Sequence, residues 1–480
     1  MRSSIYTFLL LLFISYTAAS QQLVSTTLLG SKTKTALTAQ FGLPMSFGAR
    51  YYRITYTTSD LQGLTDTVSG LIAVPDDPIR IYPRLAYQHG TAGSPLGVPS
   101  FNVQQGGEGN IGLLFAGLGY VALLPDYLGL GVSDGFHPYV HAASEAWVAA
   151  DMLRALPEFC SQELVNVHEQ LFVTGYSQGG HAAMALHREI ETNLSGEFTV
   201  TAAAHLSGPY SIGEVMRSLI LSDDIYYYPA YLPNTILSYQ TVYGGLFDQI
   251  GDVFRQPYAS AIADFYTGAL TLDQLNSQLI ASLTSIEGAS RPLRMLQPDI
   301  VQEVTNDPNH PFNVALRDND VYDWAPEAPT RIFYCMADDQ VPYQNSLLAR
   351  DTMLARGAAN LVATDVDPTA DHGGCVVPAL TYTVFFFAGY QEIGALLAAS
   401  DPDVQPLSLR PNPAASAIYF DQLSPGGSLR ITDISGRVRM ALEVTGTQAH
   451  LDVSALENGL YIVQYQHDGF LRQAKLAVQH

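Results

Sequence analysis

The chain has 480 residues and a formal net charge of −22; 47% of its residues are hydrophobic and 14% are charged. This length and composition are typical of a globular protein with one large domain and a smaller one. An acidic surface of this kind repels nucleic acids and anionic membranes, so neither is expected as a partner.

The N-terminus has the features of a secretory signal peptide. Arg2 precedes an apolar run at 8–14, and Ala18 and Ser20 place small residues before a cleavage site. Residues 1–20 are therefore predicted to be a signal peptide. The run is too short to cross a bilayer, and no later segment reaches about 20 apolar residues, so no transmembrane segment is expected.

Two early loops each follow a short apolar strand. The strand at 85–88 leads into His89 and Gly90, and the strand at 120–124 leads into Pro125 and Asp126. A His-Gly pair after a strand is typical of a loop that lies beside the catalytic nucleophile in hydrolases whose nucleophile stands at a turn between a strand and a helix. This loop gives Gly90 as a candidate oxyanion donor.

The most informative motif follows at 171–186. An apolar strand runs into Gly175-x-Ser177-x-Gly179 and then into a helix-forming segment. This is a nucleophile elbow, in which glycines let strand and helix pass closely while the serine hydroxyl projects. An ordinary Gly/Ser loop is the alternative, but it does not explain the flanking strand and helix. The motif predicts Ser177 as a nucleophile and the backbone N–H of Gln178 as one oxyanion donor.

About 120 residues separate the strand at 201–206 from the strand at 331–335. A crossover needs far fewer, so residues 213–328 are predicted to form a cap over the active site. Aromatic side chains there suit an apolar acyl or aryl site, although they could instead form the cap's own core. These residues are Tyr226, Tyr227, Tyr228, Tyr231, Tyr239, Tyr243, Tyr258, Phe265 and Tyr266.

The acid and the base of a triad are expected after the serine in chain order. Asp338 and Asp339 follow the strand at 331–335; Asp338 is preferred because its spacing to Val341 and Pro342 matches the acid loop of related hydrolases. Asp339 remains the alternative. Of the twelve histidines, eight precede this acid and three lie in the C-terminal tail, which leaves His372 as the base.

The cysteines flank the acid and the base. Cys335 precedes Asp338 by three residues and Cys375 follows His372 by three, so a triad would bring the two cysteines together. Export favours a disulfide between them and leaves Cys160 as a buried thiol. The sequence contains no C-x-x-C spacing, and we expect neither a metal nor another cofactor.

A second module is predicted at 406–480, after a polar, proline-bearing linker at 400–403. Short β runs alternate there with Gly, Pro and Asn turn signals, as in a small β-sandwich. No cluster of polar residues in it suggests a site. The catalytic domain is accordingly predicted to span 21–405.

Two family resemblances follow from these motifs. Residues 45–395 resemble the α/β-hydrolase superfamily, and the segments 87–91, 125–127 and 175–177 resemble secreted lipases of the fungal lipase A type. This resemblance implies a mostly parallel sheet flanked by helices, with a helical cap insertion. It also implies that Asp126 can act in the oxyanion hole, in competition with Gly90.

The tail is similar to the C-terminal sorting domain of type IX secretion substrates, through Arg-Pro-Asn-Pro at 410–413 and the segments 434–437 and 456–461. That similarity implies the type IX secretion machinery as a partner, export through the periplasm and outer membrane, and a secreted or cell-surface location. A carbohydrate-binding or adhesive β-module is the alternative.

These expectations together describe a secreted serine esterase or lipase that acts on a small-molecule or lipid ester. Ser177 would form an acyl-enzyme, with His372 as base and Asp338 as acid. A peptidase of the prolyl aminopeptidase type shares the triad, and only the cap selects the substrate. A non-catalytic binding protein on the same scaffold is a third interpretation, which the intact Ser, Asp and His argue against.

Overall fold

The protein is described by a computed structural model over residues 22–395, 404–433, 437–467, 470–478 and 480. The predicted signal peptide at 1–20, the predicted linker at 400–403 and residues 434–436 of one tail motif lie outside these ranges. The chain divides into two compact units, Met1–Ala395 and Leu396–His480. The predicted domain limits of 21–405 and 406–480 stay predictions.

One large sheet forms the centre of the first unit, in the order β1-β2-β3-β5-β4-β6-β7-β8-β9, with β10 paired to β4. The strands from β4 to β9 pair in parallel, and the strands from β1 to β3 form an antiparallel edge that joins β5. The strands are β1 (Leu23–Lys32), β2 (Ala49–Ser59), β3 (Thr65–Pro75), β4 (Arg80–Gln88), β5 (Val121–Pro125), β6 (Val167–Tyr176), β7 (Val200–Leu206), β8 (Thr330–Tyr334), β9 (Leu361–Asp365) and β10 (Gly394–Ala395).

Helices cover both faces of this sheet. Leu123 of β5 packs in a cluster with helix α4, whereas Ala122 and Leu124 point to the opposite face and pack with helix α3. Both faces are therefore buried, which explains why β5 is apolar along its whole length. The helices are α1 (Lys34–Phe41), α2 (Pro99–Asn102), α3 (Gly109–Leu118), α4 (Ala142–Glu163), α5 (Gln178–Asn193), α6 (Arg217–Leu221), α7 (Tyr231–Tyr243), α8 (Ile250–Val253), α9 (Tyr258–Tyr266), α10 (Leu272–Glu287), α11 (Pro298–Asn306), α12 (Pro311–Asp318), α13 (Gln344–Arg356) and α14 (His372–Ala388).

A helical insertion lies between β7 and β8, where the sequence predicts the cap. It contains α6–α12, a π-helical turn at Ile212–Met216 and a 3₁₀ turn at Pro292–Met295. Its longest helix, α10, begins at a capping box formed by Thr271 and Gln274. Four leucines of α10 at helical spacing are buried in the insertion's own core, namely Leu272, Leu275, Leu279 and Leu283. The predicted limits of the cap, 213–328, stay a prediction.

The second unit consists of two sheets, as expected for a small β-sandwich. One has the order β11-β18-β17-β14-β15 and the other β12-β13-β16. Alternate residues of both sheets form one buried core, including Ile418 and Phe420 from one sheet and Leu429 and Val463 from the other. The strands are β11 (Val404–Pro406), β12 (Leu409–Arg410), β13 (Ala417–Phe420), β14 (Ser428–Asp433), β15 (Val438–Glu443), β16 (Ala449–Asp452), β17 (Gly459–His467) and β18 (Phe470–Val478).

Candidate active site

Ser177 lies at the sharp turn between β6 and α5, as the elbow motif predicts. Its backbone has φ 61° and ψ −123°, a left-handed conformation that strains a residue with a side chain. The turn is held by a hydrogen bond from the Ser177 N–H to the Leu206 carbonyl, 3.0 Å. A Cβ atom at Gly175 would overlap the Gly179 carbonyl, and one at Gly179 would overlap the Gln88 carbonyl, so the close approach of strand and helix requires glycine at both positions.

The three residues predicted as a triad meet in the structure. Ser177 Oγ lies 2.9 Å from His372 Nε2, and His372 Nδ1 lies 2.7 Å from Asp338 Oδ2. The other carboxylate oxygen of Asp338 accepts the N–H groups of Gln340 and Val341, at 3.0 and 2.8 Å. Because a carboxylate can only accept a hydrogen bond, His372 Nδ1 carries the ring hydrogen and donates it to Asp338, and Nε2 offers its lone pair to the serine hydroxyl.

Asp339, the alternative acid, has a different contact. Its Oδ1 accepts the backbone N–H of His372, at 3.1 Å, so it holds the main chain of the histidine rather than the ring. The His372 carbonyl in turn accepts the hydroxyl of Tyr176, at 2.6 Å. Asp371 caps α14 through the N–H of Gly374, at 2.7 Å. His372 is thus fixed at its backbone on both sides and at its ring by Asp338.

A disulfide joins Cys335 to Cys375, the pair predicted from the sequence, with 6.0 Å between the Cα atoms. Cys335 directly follows β8 and leads into the Asp338 loop, and Cys375 lies in the first turn of α14 after His372. The bond therefore ties the acid loop to the base helix. Cys160 is free and buried, as expected, and burial raises the pKa of its thiol to about 12.

The predicted oxyanion donors differ in whether their hydrogen is available. Gln178 is the first residue of α5, where backbone N–H groups have no acceptor within the helix. Gly90 lies beside the nucleophile, since a Cβ at this position would be 3.7 Å from Ser177 Cβ. However, the Gly90 N–H donates to the carboxylate of Glu108, at 3.0 and 3.1 Å to its two oxygens. The prediction that Gly90 donates to an oxyanion does not fit this geometry, because a neighbouring carboxylate takes its hydrogen.

Asp126 does not fit the oxyanion site either. Its carboxylate is fully buried and accepts the hydroxyls of Ser69 and Ser100 and the Ser100 N–H. Its own N–H donates to the Ser69 carbonyl, at 2.9 Å. Burial raises the pKa of Asp126, and the hydrogen bonds from the two serines oppose that shift. Both carboxylate oxygens and the N–H of Asp126 thus have partners in β3 and α2, so Asp126 fastens the loop after β5 to these elements.

Several polar residues around the elbow were missed by the sequence argument. Gln178 Nε2 contacts Glu145 Oε1 and His137 Nε2, each at 2.9 Å, and Glu145 Oε2 contacts His181 Nδ1 at 2.7 Å. The two histidines were set aside only because they precede the acid in the chain. The sequence spacing could have indicated part of this cluster, because His181 follows Gln178 by three residues and so lies on the same helix face. Another was Glu145, an acidic residue among the apolar residues of α4.

An apolar cavity opens at Ser177 beneath the cap helices. Its wall includes the rings of Tyr226 and Tyr231 and the side chains of Ile212, Ile236 and Leu296. The tyrosine hydroxyls are used elsewhere: those of Tyr226 and Tyr231 contact the main-chain oxygen and side-chain Oε1 of Gln340, both at 2.9 Å. The rings thus face the cavity with their apolar surface while the hydroxyls tie the cap to the acid loop.

Some aromatic residues of the cap have each of the two roles considered for them, three are exposed, and Tyr228 is half-buried with its ring stacked on that of Tyr231. Tyr226, Tyr231 and Tyr239 line the cavity at Ser177. Tyr258 and Phe265 pack in the core of the cap instead. Tyr227, Tyr243 and Tyr266 are exposed. Sequence alone could not separate these groups, because all of them lie on amphipathic helices or turns with similar neighbours.

Neither a metal centre nor a membrane span was found in the part of the chain that the structure describes. Within those ranges, no group of three or more His, Cys, Asp or Glu side chains is arranged to hold a metal ion. No helix there has the length and apolar character needed to cross a bilayer.

Solved structures resemble the first unit closely. The rice cell wall degrading esterase LipA from Xanthomonas oryzae superposes with a TM-score of 0.67 at 27% identity, over 76% of this chain and 96% of that one. Candida antarctica lipase A shares the fold at 16% identity, with a TM-score of 0.56, over 77% of this chain and 83% of that one. The first unit has the α/β-hydrolase fold. The likeness to LipA supports a hydrolase, and no curated protein sequence matches the chain significantly.

The second unit matches a family model. Residues 408–479 match the secretion system C-terminal sorting domain. This domain indicates export by the type IX secretion system and a secreted or cell-surface location, as the sequence motifs predicted.

Proposed function

We propose that this α/β-hydrolase is a serine esterase that cleaves carboxylic esters through an acyl-enzyme on Ser177. One observation carries the proposal: Ser177, His372 and Asp338 are linked by contacts of 2.9 and 2.7 Å, and Ser177 lines an apolar cavity. A nucleophile, a base and an orienting acid in hydrogen-bond contact are the requirements for acyl transfer.

The reaction proceeds in two halves. His372 Nε2 takes the hydroxyl proton as Ser177 Oγ attacks the ester carbonyl carbon, and the carbonyl oxygen becomes an oxyanion. Collapse breaks the bond to the alcohol, whose oxygen receives the proton from His372. Water then gives a proton to the same Nε2 and attacks the acyl-enzyme, and the carboxylic acid leaves as Ser177 regains its proton. Asp338 keeps the ring in one tautomer and stabilises its positive charge throughout.

The oxyanion requires two donors, and the Gln178 N–H supplies one. We assign the second to Thr91, which directly follows Gly90 in the loop beside Ser177. The Thr91 hydroxyl lies 3.0 Å from the hydroxyl of Tyr139, a residue of the cavity wall, which supports this assignment. When Tyr139 donates this hydrogen bond, the Thr91 hydroxyl keeps its own hydrogen for the oxyanion.

The lining of the cavity argues against an aminopeptidase substrate. An aminopeptidase needs a carboxylate to bind the substrate's α-amino group, and no acidic side chain belongs to the described wall of this cavity. The wall is instead mostly aliphatic and aromatic, which suits an apolar acyl group, and the one charged residue in the described wall, Arg217, donates to Asn313 and the Val304 carbonyl. The apolar acyl part therefore enters the cavity, while the alcohol part remains on the open side of Ser177.

A direct test compares p-nitrophenyl esters with aminoacyl-anilides on the full chain and on Ser177→Ala. Ester hydrolysis by the wild type, lost in Ser177→Ala, supports the proposal. Preferred cleavage of the anilides would identify a peptidase instead, and equal activity of Ser177→Ala would exclude Ser177 as the nucleophile.

A further inference from the structure

A buried hydrogen-bond network lies directly behind the nucleophile. It consists of Gln178, Glu145, His137, His181 and the Asn319 carbonyl, which come from two helices of the sheet layer and two loops. The side chains of Gln178 and Glu145 are each 1% exposed and that of His181 is fully buried. The proposed chemistry uses none of these side chains, so another role must explain why polar groups are buried here.

The hydrogens of this network can be assigned from its geometry. His137 Nδ1 lies 2.8 Å from the Leu128 carbonyl and donates to it, so Nε2 accepts from the Gln178 side chain. Burial lowers the pKa of His137 to about 4, which agrees with a neutral ring. The second amide hydrogen of Gln178 goes to Glu145 Oε1. Both hydrogens of Gln178 Nε2 are therefore fixed by buried acceptors.

Glu145 is held in turn by His181. One proton lies between Glu145 Oε2 and His181 Nδ1, and His181 Nε2–H donates to the Asn319 carbonyl at 2.9 Å. Glu145 thus has one oxygen for the histidine and one for Gln178. This arrangement clamps the side chain of the residue whose backbone N–H follows the nucleophile.

We propose that Glu145 is a positioning residue that, through the Gln178 side chain, aims the Gln178 N–H at the oxyanion. The proposal rests on the proposed esterase function. The strained φ of Ser177 gives the reason for such a clamp, because a turn of this kind persists only where surrounding contacts hold it. An oxyanion donor acts well only when it is held in place before the reaction, so loosening Gln178 should cost turnover rather than substrate binding.

The chain contains a matched control on the same helix. His187 Nε2 lies 2.9 Å from Glu191 Oε1, and Glu191 also accepts the N–H groups of Glu327 and Ala328. In this second His–Glu pair, both residues lie in α5, His187 is buried and Glu191 is half-buried, and neither contacts Gln178 among the hydrogen bonds described. Replacing Glu191 therefore measures what the loss of a structural His–Glu pair does to folding and activity.

The test compares four single variants and one double variant with the wild type in kcat, KM and Tm. Glu145→Leu removes the acceptor at similar volume and should lower kcat about 10- to 100-fold with little change in KM, part of the ~10²–10³ lost with a whole donor. Glu145→Gln should keep most of kcat. Its amide oxygen can accept from Gln178, and its NH₂ group can donate to His181 Nδ1 when the ring hydrogen is on Nε2. Gln178→Leu keeps the backbone N–H and should match Glu145→Leu, and the double variant should be no worse than either.

Glu191→Leu should lower Tm and leave kcat unchanged. The proposal is overturned if Glu145→Leu keeps its kcat, or loses no more of it than Glu191→Leu does. Should Glu145→Leu fail to fold, Gln178→Leu decides alone: wild-type kcat in that variant rejects the clamp. Failure of the proposed function looks different, since Ser177→Ala would then be as active as the wild type.

Discussion

The groups on the two sides of Ser177 are held in place in different ways. On one side, His372 at the start of α14 and Asp338 on the loop after β8 contact each other through their side chains, and a disulfide between Cys335 and Cys375 ties this loop to the helix. On the other side, the proposed donors are the Gln178 N–H and the Thr91 hydroxyl, and the carboxylates of Glu145, Glu108 and Asp126 hold the surrounding segments by hydrogen bonds. One side is therefore held by a covalent bond and the other by hydrogen bonds.

This difference determines how each side responds to substitution. The carboxylate of Glu108 takes the Gly90 N–H, and that of Asp126 fastens the loop after β5. A substitution on the triad side removes a group that reacts. A substitution at one of these carboxylates only removes a contact that holds a backbone segment in position. We expect large, all-or-none losses on the first side and smaller, graded losses on the second.

The largest effect is expected at the nucleophile and the base. Ser177→Ala should lower kcat for an ester by about 10⁶-fold, and His372→Ala by a similar amount. The double variant should be hardly worse, because the two residues act as one unit. Turnover of a p-nitrophenyl ester, with circular dichroism to check folding, measures this. Additive losses would show that the two residues do not cooperate.

Asparagine substitutions distinguish Asp338 from Asp339 as the acid of the triad. Asp338→Asn should lower kcat by about 10⁴-fold, because an amide in this place favours the wrong histidine tautomer. Asp339→Asn should lower kcat only slightly, since the amide oxygen of asparagine can still accept the His372 N–H. Steady-state kinetics on both variants decides, and a crippled Asp339→Asn beside an active Asp338→Asn would reverse the assignment.

Sequence alone predicted the fold and the partners of Ser177 better than it predicted the oxyanion side. His372 and Asp338 could be found because a triad needs particular side chains in a particular chain order, after strands that are apolar enough to recognise. Every residue other than proline has a backbone N–H, so the available donor depends on which hydrogens the folded chain leaves unused. Glu108 lies 18 residues from Gly90 in the chain, and no local pattern announces that contact. The cap's cavity depends in the same way on packing between distant helices.

The second oxyanion donor should give a graded loss. Thr91→Val removes the hydroxyl at similar size and should lower kcat by about 10²-fold, within the range for one lost donor. Thr91→Ser keeps the hydroxyl and should recover most of that loss. Measuring kcat and KM for both variants tests the assignment. Equal rates for the serine and valine variants would leave the Thr91 hydroxyl without a part in catalysis.

Acid should destabilise the folded chain through the buried histidine His141. Burial lowers the pKa of His141, at the start of α4, to about 4. The unfolded chain, with a histidine pKa near 6.5, then binds more protons than the folded one between pH 6.5 and 4, so stability falls as the pH falls through this window. The full contribution is about 3 kcal/mol.

Replacing His141 isolates that contribution. His141→Gln should show a smaller loss of unfolding free energy between pH 7 and 4 than the wild type, measured by urea denaturation. The comparison must be a difference between the two proteins, because burial raises the pKa of Asp320 to about 6 and gives a slope of the opposite sign. Identical slopes would mean that His141 is protonated equally in both states.

The smallest effect on catalysis is expected from removing the second unit. The buried clusters around the large sheet and in the cap consist of residues of the first unit, so that unit should fold without the sorting domain. A chain ending at residue 405 should hydrolyse soluble esters with the kcat/KM of the full chain, because both sides of Ser177 remain complete. In the native host the same truncation should leave the protein in the periplasm. A carbohydrate-binding or adhesive module would give the reverse result, normal export with weaker action on an insoluble substrate. Measuring export, and hydrolysis of both soluble and insoluble substrates, on one truncated chain therefore tests whether residues 406–480 serve only as an export signal.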